Sequence, residues 1–168
     1  ASAVAALLGR EFHVAFTLSK QLDQLQLPAI DALKKRDAVN KEILELDKAL
    51  AIGRACGKAA LGMLIGVPRL VSQAADRFRQ IRERAAKVDD ANHYWLADRL
   101  LHVVQNMAIA SIHRILQETA LPQKYRELLA RDRFLEFWGP QLRAINQGLL
   151  DSKTIRHFVV SIPTGAGK

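Results

Sequence analysis

Residues 69–87 read RLVSQAADRFRQIRERAAK, and their apolar positions recur at helical intervals. On a 100° wheel Val71, Ala74, Phe78, Ile81 and Ala85 share one sector, with charged and amide side chains filling the rest. The spacing predicts an amphipathic helix that turns those five residues inward. Glu83 and Lys87 stand four apart and support it as an ion pair. Asp89-Asp90-Ala91-Asn92 supplies a break and a cap for whatever follows. Pro68 closes the stretch before it.

The same period continues on both sides. Upstream, Ser2 is placed to cap a first helix reaching about Gln26, with Pro28 ending it and opening the next. Asp31 and Lys35 pair on that second helix, and Val39, Ile43, Leu46 and Leu50 carry the pattern on. Gly53, Gly57, Gly62 and Gly66 recur at small-residue spacing. Arg54 and Lys58 sit among them, so close helix–helix approach in a soluble bundle is expected rather than a membrane role. Downstream, residues 93–119 read as one long helix with two apolar stripes, Leu96, Leu100, Val103, Met107 and Leu101, Ala108, Ile112. So wide an apolar surface places that helix at the bundle's centre. Tyr94, Trp95 and Tyr125 read as core anchors. Shorter helices are expected over 123–130 and 141–150, with a turn at 151–154. Strand-like alternation is nearly absent before residue 157, so residues 1–136 are expected to form an all-α bundle of about five helices.

Composition agrees. The chain has 168 residues, 49% of them apolar and 25% charged, which suits a globular domain and argues against disorder. One cysteine, Cys56, excludes an intramolecular disulfide, fits a cytoplasmic location and reads as a small buried residue. The five histidines are dispersed, and His102 and His113 would lie about 16 Å apart on one helix face. No metal site is expected. No stretch reaches the roughly 18 apolar residues of a membrane span, and residues 1–8 lack the basic start of a secretory leader.

The net charge is +8, from 25 basic and 17 acidic residues. Residues 1–50 are neutral, so the excess lies in the last two-thirds. A polyanionic partner is favoured. Arg77, Arg79, Arg82, Arg84 and Lys87 form the densest basic cluster. Two readings stand: contacts to a nucleic-acid backbone, or a solvated face whose arginine stems cover the core. Asp76 and Glu83 interrupt the cluster.

The character changes at the end. His157-Phe158-Val159-Val160-Ser161-Ile162 is a β-branched and aromatic run, and Pro163-Thr164-Gly165-Ala166-Gly167-Lys168 follows. Strand, glycine loop and lysine make the phosphate-binding pattern. Backbone N–H groups of Gly165, Ala166 and Gly167 would turn towards the phosphates, with the Lys168 ammonium on the β- and γ-phosphates. Ile162 stands where the pattern usually has a small residue. The Ser or Thr that follows the lysine in the pattern, and binds Mg²⁺, is missing from these 168 residues.

Residues 163–168 resemble motif I of superfamily 2 helicases of the DEAD/DEAH-box and Ski-like type. Phe137-Trp138-Gly139-Pro140-Gln141-Leu142-Arg143-Ala144-Ile145 resembles the Q-motif region of the same family, 27 positions from Gln141 to Lys168. The resemblance covers about a fifth of the chain. It implies that Gln141 reads the adenine edge and that Phe137 or Trp138 stacks on the ring. It implies ATP and Mg²⁺ as ligands and DNA or RNA as substrate of the parent protein. Residues 137–168 would then begin an ATPase domain, a truncated strand and P-loop after the helical accessory domain of 1–136. Such a piece would not hydrolyse ATP, because the Walker B acids and arginine fingers are not in it. The strand 157–162, without sheet partners, is expected to be disordered, to fold back on the bundle or to pair with a second copy. Two other readings are a self-contained helical module that docks protein or nucleic acid, its P-loop-like tail unused, and a non-helicase P-loop ATPase.

Overall fold

A computed structural model describes residues 2–34, 40–117, 119, 122–132 and 134–150. Among these, regular structure is helical, with one isolated antiparallel bridge between Ser111 and Glu136. The order is α1 (Ser2–Leu8), α2 (Phe12–Lys34), α3 (Asn40–Ile65), α4 (Pro68–Lys87), α5 (Ala91–Ala110), α6 (Ile112–Gln117), α7 (Gln123–Arg131) and α8 (Gly139–Asn146). They fall into two compact units, residues 1–105 and 106–168.

In the first unit α3 packs on both α2 and α4. Its middle is lined with small residues: Ala55, Cys56, Ala59 and Ala60 are all buried. The glycines mark where neighbours come closest. A Cβ on Gly53 would overlap Leu22 Cδ2, and one on Gly57 would overlap Ser19 Oγ, both on α2. A Cβ on Gly62 would lie 2.8 Å from Val71 Cγ2 and 3.0 Å from the Val71 nitrogen on α4. The expected close approach therefore serves two helices, one on each side of α3. On α4 the buried residues are Val71, Ala74, Phe78, Ile81 and Ala85, the five of the expected stripe.

Four helices end in the same way. A residue two or three past the end of each helix donates its N–H back across the last turn, Glu11 to Ala6 O, Val67 to Gly62 O, Asp90 to Ala85 O and Leu149 to Ala144 O, at 2.8–3.1 Å. The residue before each donor is left-handed: Arg10, Gly66, Asp89 and Gly148 have φ of 65°, 68°, 54° and 98°. This is the Schellman arrangement, in which orphan carbonyls find donors.

Several sequence expectations are corrected. The first helix is not continuous from Ser2; it breaks at Gly9–Glu11, where Arg10 turns left-handed. Pro28 does not end α2, which runs through it to Lys34. A proline inside a helix forgoes one backbone bond, yet α2 runs through it and packs on α3. Residues 93–119 are two helices. Ile112 N–H donates to Leu135 O and Phe137 N–H to Ala110 O, so the segment around Glu136 takes backbone bonds at the break. α3, which packs on α1, α2 and α4, takes the central place expected of the helix after residue 91. Tyr94, Trp95 and Tyr125 are exposed, not core anchors. α5 buries Ala97, Leu100, Leu101 and Val104, and Trp95 falls on the opposite face. The last helix stops at Asn146, before Gly148. The Asp31–Lys35 pair, the 151–154 turn, the strand 157–162 and the loop 163–168 lie outside the described residues.

Candidate functional site

Two places hold the residues that the sequence singles out. One is the entrance to α8 in the second unit. Trp138 is extended (φ −76°, ψ 159°) and acts as the N-cap, with Pro140 in the first turn. Proline is favoured there because its missing N–H would be unpaired in any case. Gln141 turns back, and its Oε1 accepts the Trp138 N–H at 2.8 Å. This is the glutamine half of a capping box. Phe137 and Trp138 are adjacent but differently placed. The Phe137 ring meets Phe134 edge-on, with centroids 5.5 Å apart and planes at 76°. Trp138 is 57% exposed. Of the two aromatics the resemblance offers, Trp138 has the open ring. Pro163, Thr164, Gly165, Ala166, Gly167 and Lys168 lie outside the described residues, so their position relative to Gln141 is not described.

The other place is a groove of about 1040 Å³ between α3 and α4, closed at one end by the start of α5. Its floor includes Ala51, Ala55, Ala74 and Ala85, with Leu50 and Ile81. Its rim carries Lys58, Arg77, Arg84 and Lys87. The basic cluster of α4 is thus divided. Arg79 is paired with Asp76 one turn away, and Arg82 Nη1 reaches Asp98 Oδ1 on α5 at 2.9 Å. Arg77 hydrogen-bonds the neutral Gln80, and with Arg84 and Lys87 it lines the groove. Among the described residues no carboxylate forms an ion pair with Lys58, Arg77, Arg84 or Lys87. Sequence distance hid the α3 share of this rim, since Lys58 joins it only through the hairpin at Gly66.

At the closed end Lys48 Nζ bridges Glu45 Oε1 (2.8 Å) and Asp90 Oδ2 (2.7 Å). Asp90 Oδ1 accepts the His93 N–H at 3.2 Å, and His93 Nδ1 lies 2.9 Å from Oδ2, the oxygen that Lys48 also contacts. The Lys48 hydrogen bond, then the contacts with His93, hold the Asp90 carboxyl well below the usual carboxylate range. The same bond, and then Glu45, raises the Lys48 ammonium.

Nothing else among the described residues forms a reactive constellation. No group of three or more His, Cys, Asp or Glu could hold a metal ion. Burial pushes the Cys56 thiol up to about 12, so it is a protonated core side chain rather than a nucleophile. Burial also lowers the His113 imidazole. No described helix is long and apolar enough to cross a membrane. Comparison with family models, curated proteins and solved structures gave no match to this chain.

Proposed function

We propose that this chain is the N-terminal part of an ATP-dependent nucleic-acid helicase of superfamily 2. Its helical bundle is an accessory domain and its last thirty or so residues open the ATPase core. The reading rests on one observation: a Trp-Gly-Pro-Gln segment and a Pro-Thr-Gly-Ala-Gly-Lys segment stand in the family's order, with 27 positions from Gln141 to Lys168. The local geometry of the first segment supports it. Gln141 sits in the opening turn of a short helix, beside an exposed indole. An amide pairs with adenine N6 and N7, and an indole face stacks on the base.

In this reading Gln141 and Trp138 hold adenine, and Gly165, Ala166, Gly167 and Lys168 hold phosphates, Mg²⁺ being shared with the residue after the lysine. The 168 residues alone are expected neither to hold ATP nor to hydrolyse it, because the acids that position metal and water are not among them. The parent acts on DNA or RNA in the cytoplasm. The test is ATP binding by the chain extended through a complete ATPase domain. Binding that is lost in Lys168→Ala supports the helicase reading. No binding by the extended chain leaves the bundle as a self-contained interaction module.

A further inference from the structure

The α3–α4 groove calls for an occupant of its own, whatever the terminal loop does. Its floor is apolar and made chiefly of alanine methyls, so large side chains must come from the other partner. Along α3 it runs from Asp47 to Lys58 and along α4 from Gln73 to Val88, roughly 16 and 22 Å at the helical rise. That length receives a helix of roughly three to four turns. Lys58, Arg77, Arg84 and Lys87 project around the floor with no carboxylate partner among the described residues. Long basic side chains beside an apolar floor suit a ligand that is apolar on one face and acidic on its flanks.

We infer that this groove docks an acidic amphipathic helix of a partner protein. Leucine-like side chains at i, i+3, i+4 and i+7 enter over Ala51, Ala55 and Ala74, and flanking carboxylates meet the four rim cations. A second copy of this chain is a poor occupant, since each copy carries +8 and the two repel. Nucleic acid is also a poor one. The floor is chiefly alanine methyls and offers no Phe, Tyr or Trp ring for bases to stack on.

The test uses the 168-residue protein and a fluorescein-labelled peptide of about 14 residues. Leucines occupy i, i+3, i+4 and i+7 of the peptide, and glutamate and alanine fill the remainder. A peptide of the same composition, permuted so that its leucines share no face, is the control, and a single-stranded oligonucleotide is the competitor. Saturable anisotropy is expected for the first peptide, with methyl shifts at Ala51, Ala55 and Ala74. Arg84→Glu/Lys87→Glu, both exposed, should weaken it about tenfold. Ala51→Glu at the floor should weaken it independently of the rim. Equal binding of the permuted peptide, an unchanged affinity in both variants, or no binding of either peptide overturns the proposal. Tighter binding of the oligonucleotide, with displacement of the peptide, also overturns it and makes the groove a nucleic-acid surface.

Discussion

Lys48 Nζ lies 2.7 Å from Asp90 Oδ2, and this contact ties α3 to the turn that starts α5. It joins residues 42 positions apart, and the two side chains are only 24% and 20% exposed. Because the folded Asp90 carboxyl is held below its ordinary value, its contribution to stability is complete above about pH 5 and is lost as pH falls through the depressed folded value. Lys48 is raised, so its contribution is complete below about pH 10 and is lost as pH rises through the folded value. Asp90→Asn should therefore lower Tm at neutral pH and flatten the acid limb of the stability profile. Thermal melts of both proteins between pH 2 and 7 measure this. Parallel acid limbs would show that the pair contributes nothing to stability.

Gly57 and Gly53 separate two kinds of close contact. A methyl at Gly57 meets Ser19 Oγ and also Ser19 Cβ, which is fixed to the α2 backbone. At Gly53 it meets only the Leu22 side chain, nearest at its terminal Cδ2, which can rotate. Alanine is a better helix former than glycine by about 1 kcal/mol, and that gain acts at both sites. Gly57→Ala should still cost about 1–3 kcal/mol through overpacking. Gly53→Ala should come close to neutral. Urea unfolding of the two variants compares them, and the reverse order would mean that α2 and α3 meet elsewhere.

The left-handed helix ends allow a prediction of opposite sign. Gly66 has φ of 68° and Asp89 has φ of 54°, a region that costs an L side chain roughly 1–2 kcal/mol. Gly66→Ala should destabilise the α3–α4 hairpin by about 1 kcal/mol, whereas Asp89→Gly should stabilise by a few tenths to about 1 kcal/mol. Asp89 is exposed, so little else changes with it. Chemical denaturation provides both numbers, and a destabilised Asp89→Gly would show that its side chain matters more than its backbone.

These ends also show what could be read in advance. Pro68 marks the α3–α4 hairpin in the sequence, but Gly66 reads there as one of four packing glycines and Gly148 as interior to a helix over 141–150, although both are left-handed helix ends. Arg10 carries no such signal, and the α1–α2 break was missed although Gly9 stands beside it. The stripe from Val71 to Ala85 was read residue by residue because one face of α4 is buried and the other is not. The break at Ser111 was invisible to periodicity, since it is made by backbone bonds from residues about 24 positions away. For the same reason the basic cluster of α4 was visible as a run of arginines, but its division into paired and groove-lining members was not. That division depends on Asp98 of α5 and Lys58 of α3, which only the fold brings near.

Phe137 and Trp138 are sequence neighbours with separable roles. Phe137 packs edge-to-face on Phe134, and such a pair contributes about 0.5–1.5 kcal/mol beyond area burial. Phe137→Ala should therefore destabilise the second unit, read as a lower Tm or as faster exchange of the residue-137 amide, whose N–H the Ala110 carbonyl accepts. Trp138→Ala removes an exposed ring and should leave stability within about 0.5 kcal/mol. In the chain extended through a complete ATPase domain, however, it should weaken ATP about tenfold while sparing inorganic triphosphate, since only adenine stacks. Gln141→Ala should cost about 0.5–1 kcal/mol through the lost cap on Trp138 N–H, and should reduce the preference for ATP over GTP. Gln141 can read a base only by giving up or sharing that cap bond, so nucleotide should speed amide exchange at Trp138. Protection of the Trp138 amide that is unchanged by ATP, together with full ATP affinity in Trp138→Ala, would leave this segment as a helix start and nothing more.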